Sequence, residues 1–154
     1  MRVTTKGRYA LRAITKLAMS DSPRPIPIKQ IAAEEEISPE FLEQIFFRLK
    51  KSGIISSVRG PGGGFVMNRK PEEVSVREIF EAVGEGIDLT PCTTHVDDGN
   101  GHCAREDYCV VHDVWQEASR YIIDYFNSLT LKQVVERGHE KTLAAAEKSG
   151  QTVH

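Results

Sequence analysis

The stretch Arg59-Gly60-Pro61-Gly62-Gly63-Gly64 constrains this chain more than any other segment, because no helix runs through that density of glycine and proline. It lies between two short extended runs, Ile54-Ile55-Ser56-Ser57-Val58 and Phe65-Val66-Met67, so the chain is expected to turn back on itself as a β-hairpin. The segment ahead of it is helical in period. Ser38 can cap free amides and Pro39 suits a first turn. From there to about Ser52, Phe41, Leu42, Ile45, Phe46 and Leu49 share one face. Glu40, Glu43, Gln44, Phe47, Arg48 and Lys51 share the other, and Gly53 ends the helix. A polar-faced helix followed at once by a hairpin predicts a winged helix-turn-helix whose recognition helix enters the major groove. A nucleotide-phosphate cradle is the competing reading of the glycines, but neither Lys-Ser, Lys-Thr nor a helix follows them.

The remaining elements agree. A first amphipathic helix is expected from about Lys6 to Met19, with Tyr9, Ala10, Ala13, Leu17 and Ala18 on one stripe, before Ser22, Pro23, Pro25 and Pro27 break it. A short second helix covers Ile28 to Glu35 on Ile28, Ile31 and Ala32. Ser75-Val76-Arg77-Glu78 matches a capping box, placing a fourth helix over Val76 to Val83 ahead of Gly84 and Gly86. From Asp113 to Leu129 a long helix carries Val114, Trp115, Ala118, Ile122, Tyr125, Phe126 and Leu129 at spacings of three and four. That stripe is either intramolecular core or a dimer seam, and a winged-helix unit this small leaves little core to cover it, which favours the dimer. A last short helix spans about Leu131 to Arg137. The fold expected is mainly α with a small β hairpin: a winged helix-turn-helix plus a long C-terminal dimerisation helix in residues 1–135, and a flexible, frayed C-terminal tail over residues 136–154.

Charge divides the chain. Residues 1–70 hold 13 Lys or Arg against 6 Asp or Glu, whereas residues 71–154 hold 7 against 16. The first part attracts a phosphate backbone and the second is repelled by it, which implies double-stranded DNA as a partner for the N-terminal half alone. No apolar run approaches the roughly 20 residues of a membrane span and the N-terminus has no signal-like apolar region, so a cytoplasmic protein without a membrane partner is expected.

All three cysteines, Cys92, Cys103 and Cys109, fall close together, with His112 three positions after the last. In a reducing compartment an odd, clustered set holds metal more readily than disulfides. Thiolates and an imidazole suit either an iron-sulfur cluster or a closed Cys-three-His zinc site, and both readings stand on the residues alone. His95, Asp97, Asp98, His102 and Asp107 lie in the same window, where the polarity of a solvated loop accounts for them. Catalysis finds no support: there is no CxxC pair, no Ser-His-Asp order and no conventional nucleotide loop.

MRVTTKGRYALRA at the start, SPEFLEQIFFRLKKSGIISSVRGPGGGF through helix and hairpin, and Cys109-Val110-Val111-His112 resemble the Rrf2 family of bacterial transcription regulators, within it the IscR branch that governs iron-sulfur cluster assembly. The likeness runs from residue 1 to about residue 135. It implies a homodimeric regulator of cluster-assembly or stress genes that receives a cluster from the assembly machinery. It also implies a 2Fe-2S cluster held by Cys92, Cys103, Cys109 and His112 in a loop over about residues 88–112. One departure is the ten residues between Cys92 and Cys103, a longer gap than that pattern has. Related nitric oxide or redox sensors hold a 4Fe-4S cluster with a carboxylate near the partner's N-terminus; Lys6, Arg8 and Arg12 offer none here, which favours 2Fe-2S. On the DNA side, Ser38, Glu43, Gln44 and Arg59 match the operator-contacting positions of that branch. Gly60, among the turn glycines, lets the backbone pass close to the DNA, and Arg48 and Lys51 either hold phosphate or form a solvated basic face. By the same resemblance Glu43 excludes one class of operator when the cluster is absent. Phe47 either meets a thymine methyl or, as packing favours, lies against the first helix.

Overall fold

The computed structural model describes residues 3–93 and 103–150. Among them the order is α1 (Thr5–Ala18), α2 (Ile28–Glu35), α3 (Pro39–Lys51), β1 (Ile55–Val58), β2 (Gly64–Met67), α4 (Val76–Ala82), α5 (His112–Ser128) and α6 (Leu131–Gly150). Mostly helical, with one antiparallel hairpin, this is the winged-helix architecture expected. No helix of the described residues is long and apolar enough to cross a membrane.

The helix starts are set by short-range chemistry. Thr4 caps α1, Ser38 Oγ accepts the Phe41 N–H at 3.2 Å with Pro39 in the first turn, and Ser75 and Glu78 form the reciprocal capping box of α4. Glu36 ends α2 in the left-handed region, at φ 54°, where a side chain is disfavoured.

Ala10, Ala13, Ile14 and Leu17 of α1 pack with Ile31 of α2, and with Leu42, Ile45, Phe46 and Leu49 of α3, in one core that also takes Val74, Ile79, Leu131 and Val135. Each large side chain buried there is worth about 1.5–3 kcal/mol. A smaller core of Val76, Phe80, Ile87 and Leu129 receives Ile122, Ile123 and Phe126 from α5.

The hairpin pairs Ile55 with Met67 through Val58 with Gly64 and is anchored at both ends. Phe65 lies edge-on to Phe46, with centroids 5.0 Å apart, and exchanges two backbone hydrogen bonds with Ile26 at 3.0 and 2.9 Å. That bridge demands glycine at position 64, since a Cβ there would stand 2.3 Å from the Ile26 carbonyl oxygen.

Two expectations change. Helix α6 does not stop near Arg137 but continues to Gly150. Gly138 lies against Met19, where its lack of a side chain aids packing, and the following Leu143-Ala144-Ala145-Ala146 favours helix. Phe47 is 67% exposed and does not pack beneath α1; Phe41 takes that place, edge-on to Tyr9 at 5.9 Å.

Candidate nucleic-acid interface and cysteine loop

Helix α3 buries Leu42, Ile45, Phe46 and Leu49 and so turns Glu43, Gln44, Phe47, Arg48 and Lys51 outward. These side chains line an open groove of about 1000 Å³, bounded on its far side by Ala82 of α4. Arg59 and Gly60 stand exposed at the hairpin turn, and Ser38 is exposed at the start of α3. The groove presents two cations, an amide, an aromatic ring and the two carboxylates of Glu40 and Glu43, a set suited to phosphate contact and base-edge reading together. Arg12 and Lys16 of α1 are committed elsewhere, to Glu35 at 3.1 Å and Glu34 at 2.8 Å. The hydrogen bond from Lys16, aided by that from Gln30, holds the Glu34 carboxyl below its ordinary range.

The cysteine loop is bound to the rest of the fold by its flanks. Cys92 lies in a single 3-10 turn, Pro91–Thr93; the turn Glu106–Tyr108 separates Cys103 from Cys109; and His112 is the first residue of α5. The His112 backbone N–H donates to the Cys109 carbonyl at 3.2 Å, and its ring Nε2 lies 3.3 Å from the Cys92 carbonyl oxygen. With Nε2 protonated that contact is a hydrogen bond that fixes the ring, while Nδ1 lies 3.5 Å from the Asp113 carboxylate. His112 is 5% exposed; the three cysteines are half-buried free thiols. Cys92, Cys109 and His112 thus meet through the backbone. Among the described residues, however, no three His, Cys, Asp or Glu side chains are gathered to hold a metal ion. Asp107 is exposed, and His95, Asp97, Asp98 and His102 lie outside the described residues. The donor set itself fits a soft metal or cluster: sulfurs not consumed in disulfides beside a nearly buried imidazole.

Sequence periodicity had no means of finding the groups that hold this loop in place. Ser119, buried on α5, accepts the Leu89 N–H at 3.4 Å. Glu85, buried between two exposed glycines, accepts from the start of α1.

Residues 3–137 match the Rrf2 profile, described as an iron-dependent transcriptional regulator. The chain belongs to the Rrf2 family. Rrf2 relatives include the HTH-type transcriptional regulator IscR of Klebsiella pneumoniae, 38% identical over 135 residues that cover 88% of this chain and 80% of that protein. The structure of T. potens IscR is 28% identical with a TM-score of 0.73, covering 92% of this chain and 90% of that one. The fold is shared with CymR, the global cysteine regulator of B. subtilis, at 23% identity and a TM-score of 0.71 over 89% of this chain and 98% of that one. The protein is therefore a DNA-binding transcription regulator of the Rrf2 type, not an enzyme.

Proposed function

We propose that this protein is a cytoplasmic, homodimeric regulator that binds a double-stranded operator through α3 and the hairpin and reads iron-sulfur cluster supply through a 2Fe-2S cluster on Cys92, Cys103, Cys109 and His112. In this reading Gln44 and Glu43 face base edges, Arg48 and Lys51 hold phosphate, Ser38 and Gly60 lie against the backbone, and Arg59 enters a minor groove. The assembly machinery acts as cluster donor, and the regulated genes serve cluster assembly or stress.

One observation carries the sensing part: the loop's ligand residues begin the helix that leads back to the DNA-binding half. His112 opens α5, Phe126 of α5 packs edge-on against Phe80 of α4 at 5.2 Å, and Ala82 of α4 borders the recognition groove. When bound, a cluster supplies a crosslink between Cys92 and the start of α5 that is present only while supply lasts. Holding Cys92 to the start of α5 would then bias the pose of α5, and with it the spacing of two recognition helices across a dimer. The dimer reading is supported by α5 itself, which leaves Val114, Trp115, Tyr121 and Tyr125 exposed on a helix only lightly covered by its own chain.

The test is anaerobic purification followed by absorbance, iron, sulfide and zinc analysis. A red-brown protein with two irons and two sulfides per chain is expected; a colourless one with one zinc per chain would overturn the sensing reading.

A further inference from the structure

Two cations from separate helices meet at one glycine on the edge of the recognition groove. Lys6 Nζ of α1 donates to the Gly84 carbonyl at 3.3 Å, just beyond the end of α4. A Cβ added to Gly84 would stand 3.4 Å from Arg48 Nη1 of α3 and 3.7 Å from Lys6 Nζ. The place that a side chain would fill is thus flanked by both positive charges, and Gly84 itself is exposed. Its φ of 71° is one that glycine adopts freely and other residues rarely do, so the backbone of the turn favours a residue without a side chain.

Among the described residues no ion pair engages Lys6 or Arg48, whereas Arg12 and Lys16 of α1 are matched by Glu35 and Glu34. The two acids nearest Gly84 in sequence are committed elsewhere. Glu81 accepts from Arg77 at 2.7 Å, and Glu85 accepts from Thr4 and Gly7 at the start of α1. Like charges held this close repel each other, and an anion between them removes that repulsion. An oxygen of a phosphate set where the Cβ would be meets both cations in charge-assisted contacts. The place is also continuous with the groove, which Arg48 and Ala82 line.

We propose that Lys6 and Arg48 together hold one phosphate of the duplex backbone at Gly84, which brings α1 and the end of α4 into the DNA-binding face. This rests on the reading of the α3 groove as the side that meets DNA. Such a contact carries no sequence information and fixes the pose of α3 on the duplex.

The full-length chain is titrated into fluorescein-labelled duplexes of several mixed sequences between about 50 and 200 mM salt, as wild type, Lys6→Gln, Lys6→Arg, Arg48→Ala and the double variant Lys6→Gln/Arg48→Ala. Lys6→Gln is expected to weaken every duplex by the same factor and to lower the salt slope by about 1. Lys6→Arg, which keeps the charge, is expected to retain the wild-type slope. The double variant should lose less than the product of the two single losses, because either substitution loosens the phosphate that the other cation holds. Weaker binding by Lys6→Gln at an unchanged slope would leave Lys6 only its hydrogen bond to the turn and overturn the proposal. Losses that multiply in the double variant would put the cations on separate phosphates and overturn it too. Wild-type affinity in Arg48→Ala would overturn the groove reading itself, whereas a loss there beside an unaltered Lys6→Gln overturns only the shared phosphate site.

Discussion

The Glu85 carboxylate accepts the backbone N–H of Gly7 at 3.1 Å, across 78 positions of sequence. The same carboxylate accepts from the Thr4 N–H at 2.9 Å and from the Thr4 hydroxyl. It thereby satisfies free amides at the start of α1 with a negative charge, where the helix dipole favours one. A Cβ on Gly7 would stand 2.7 Å from the Glu85 oxygen, so only glycine admits the contact. The result ties the DNA-binding half to the segment that leads into Cys92.

Replacing Glu85 with Ala leaves the buried Gly7 amide without this acceptor and is expected to cost about 1–3 kcal/mol. Gly7→Ala, which forces the carboxylate away, should destabilise in the same direction. Urea unfolding of the two variants checks both.

The capping box of α4 supplies a pH dependence. Burial acts to raise the Glu78 carboxyl, but hydrogen bonds from Arg69 and from the Ser75 N–H outweigh it and hold the group below its ordinary value of 4.5. A carboxylate depressed in the folded state stabilises fully above its unfolded value, and that contribution is lost as pH falls through the lower folded value. Thermal melts of wild type and Glu78→Gln should therefore differ steadily above about pH 5 and converge below 4.5. Ser75→Ala should cost about 1 kcal/mol at neutral pH.

At the groove, the base-facing and phosphate-facing side chains should separate by salt and sequence dependence. Arg48→Ala and Lys51→Ala are each expected to weaken all duplexes alike and lower the salt slope by about 1. Gln44→Ala should cost about 1–3 kcal/mol on one preferred sequence and relax discrimination there. Glu43→Ala should admit, in the cluster-free protein, operators that wild type rejects. Fluorescence anisotropy titrations across salt and operator sequence report all four.

Helix α5 should lose its partner when its exposed stripe is charged. Tyr121→Asp, at a position exposed in the single chain, is expected to leave the melting temperature within a few degrees and to shift sedimentation from dimer toward monomer.

Ser38-Pro39, Gly53 and the Ser75–Glu78 box announce their elements because capping acts within four residues, and the hairpin was legible from the same local chemistry. The length of α6 was not, because Gly138 has the look of a stop until Met19 is seen beside it. Nor was Glu85, whose partners lie at the other end of the DNA-binding half. Helical period did set Phe41 on the apolar face and Phe47 on the polar one, and the structure follows it; the packing of Phe47 against α1 was expected from its aromatic bulk against that period, and Phe41 makes the contact instead. For the cysteine loop, residue types and spacing carried the donor set, while a ligand arrangement depends on long-range closure that no local rule contains.

The central claim joins the cysteine loop to the recognition helix, and the most direct test is operator affinity of the same full-length protein with and without its cluster, at matched salt. A difference of at least tenfold on one operator class is expected, about 1.4 kcal/mol of coupling. Equal affinity for every operator in the two states would contradict it.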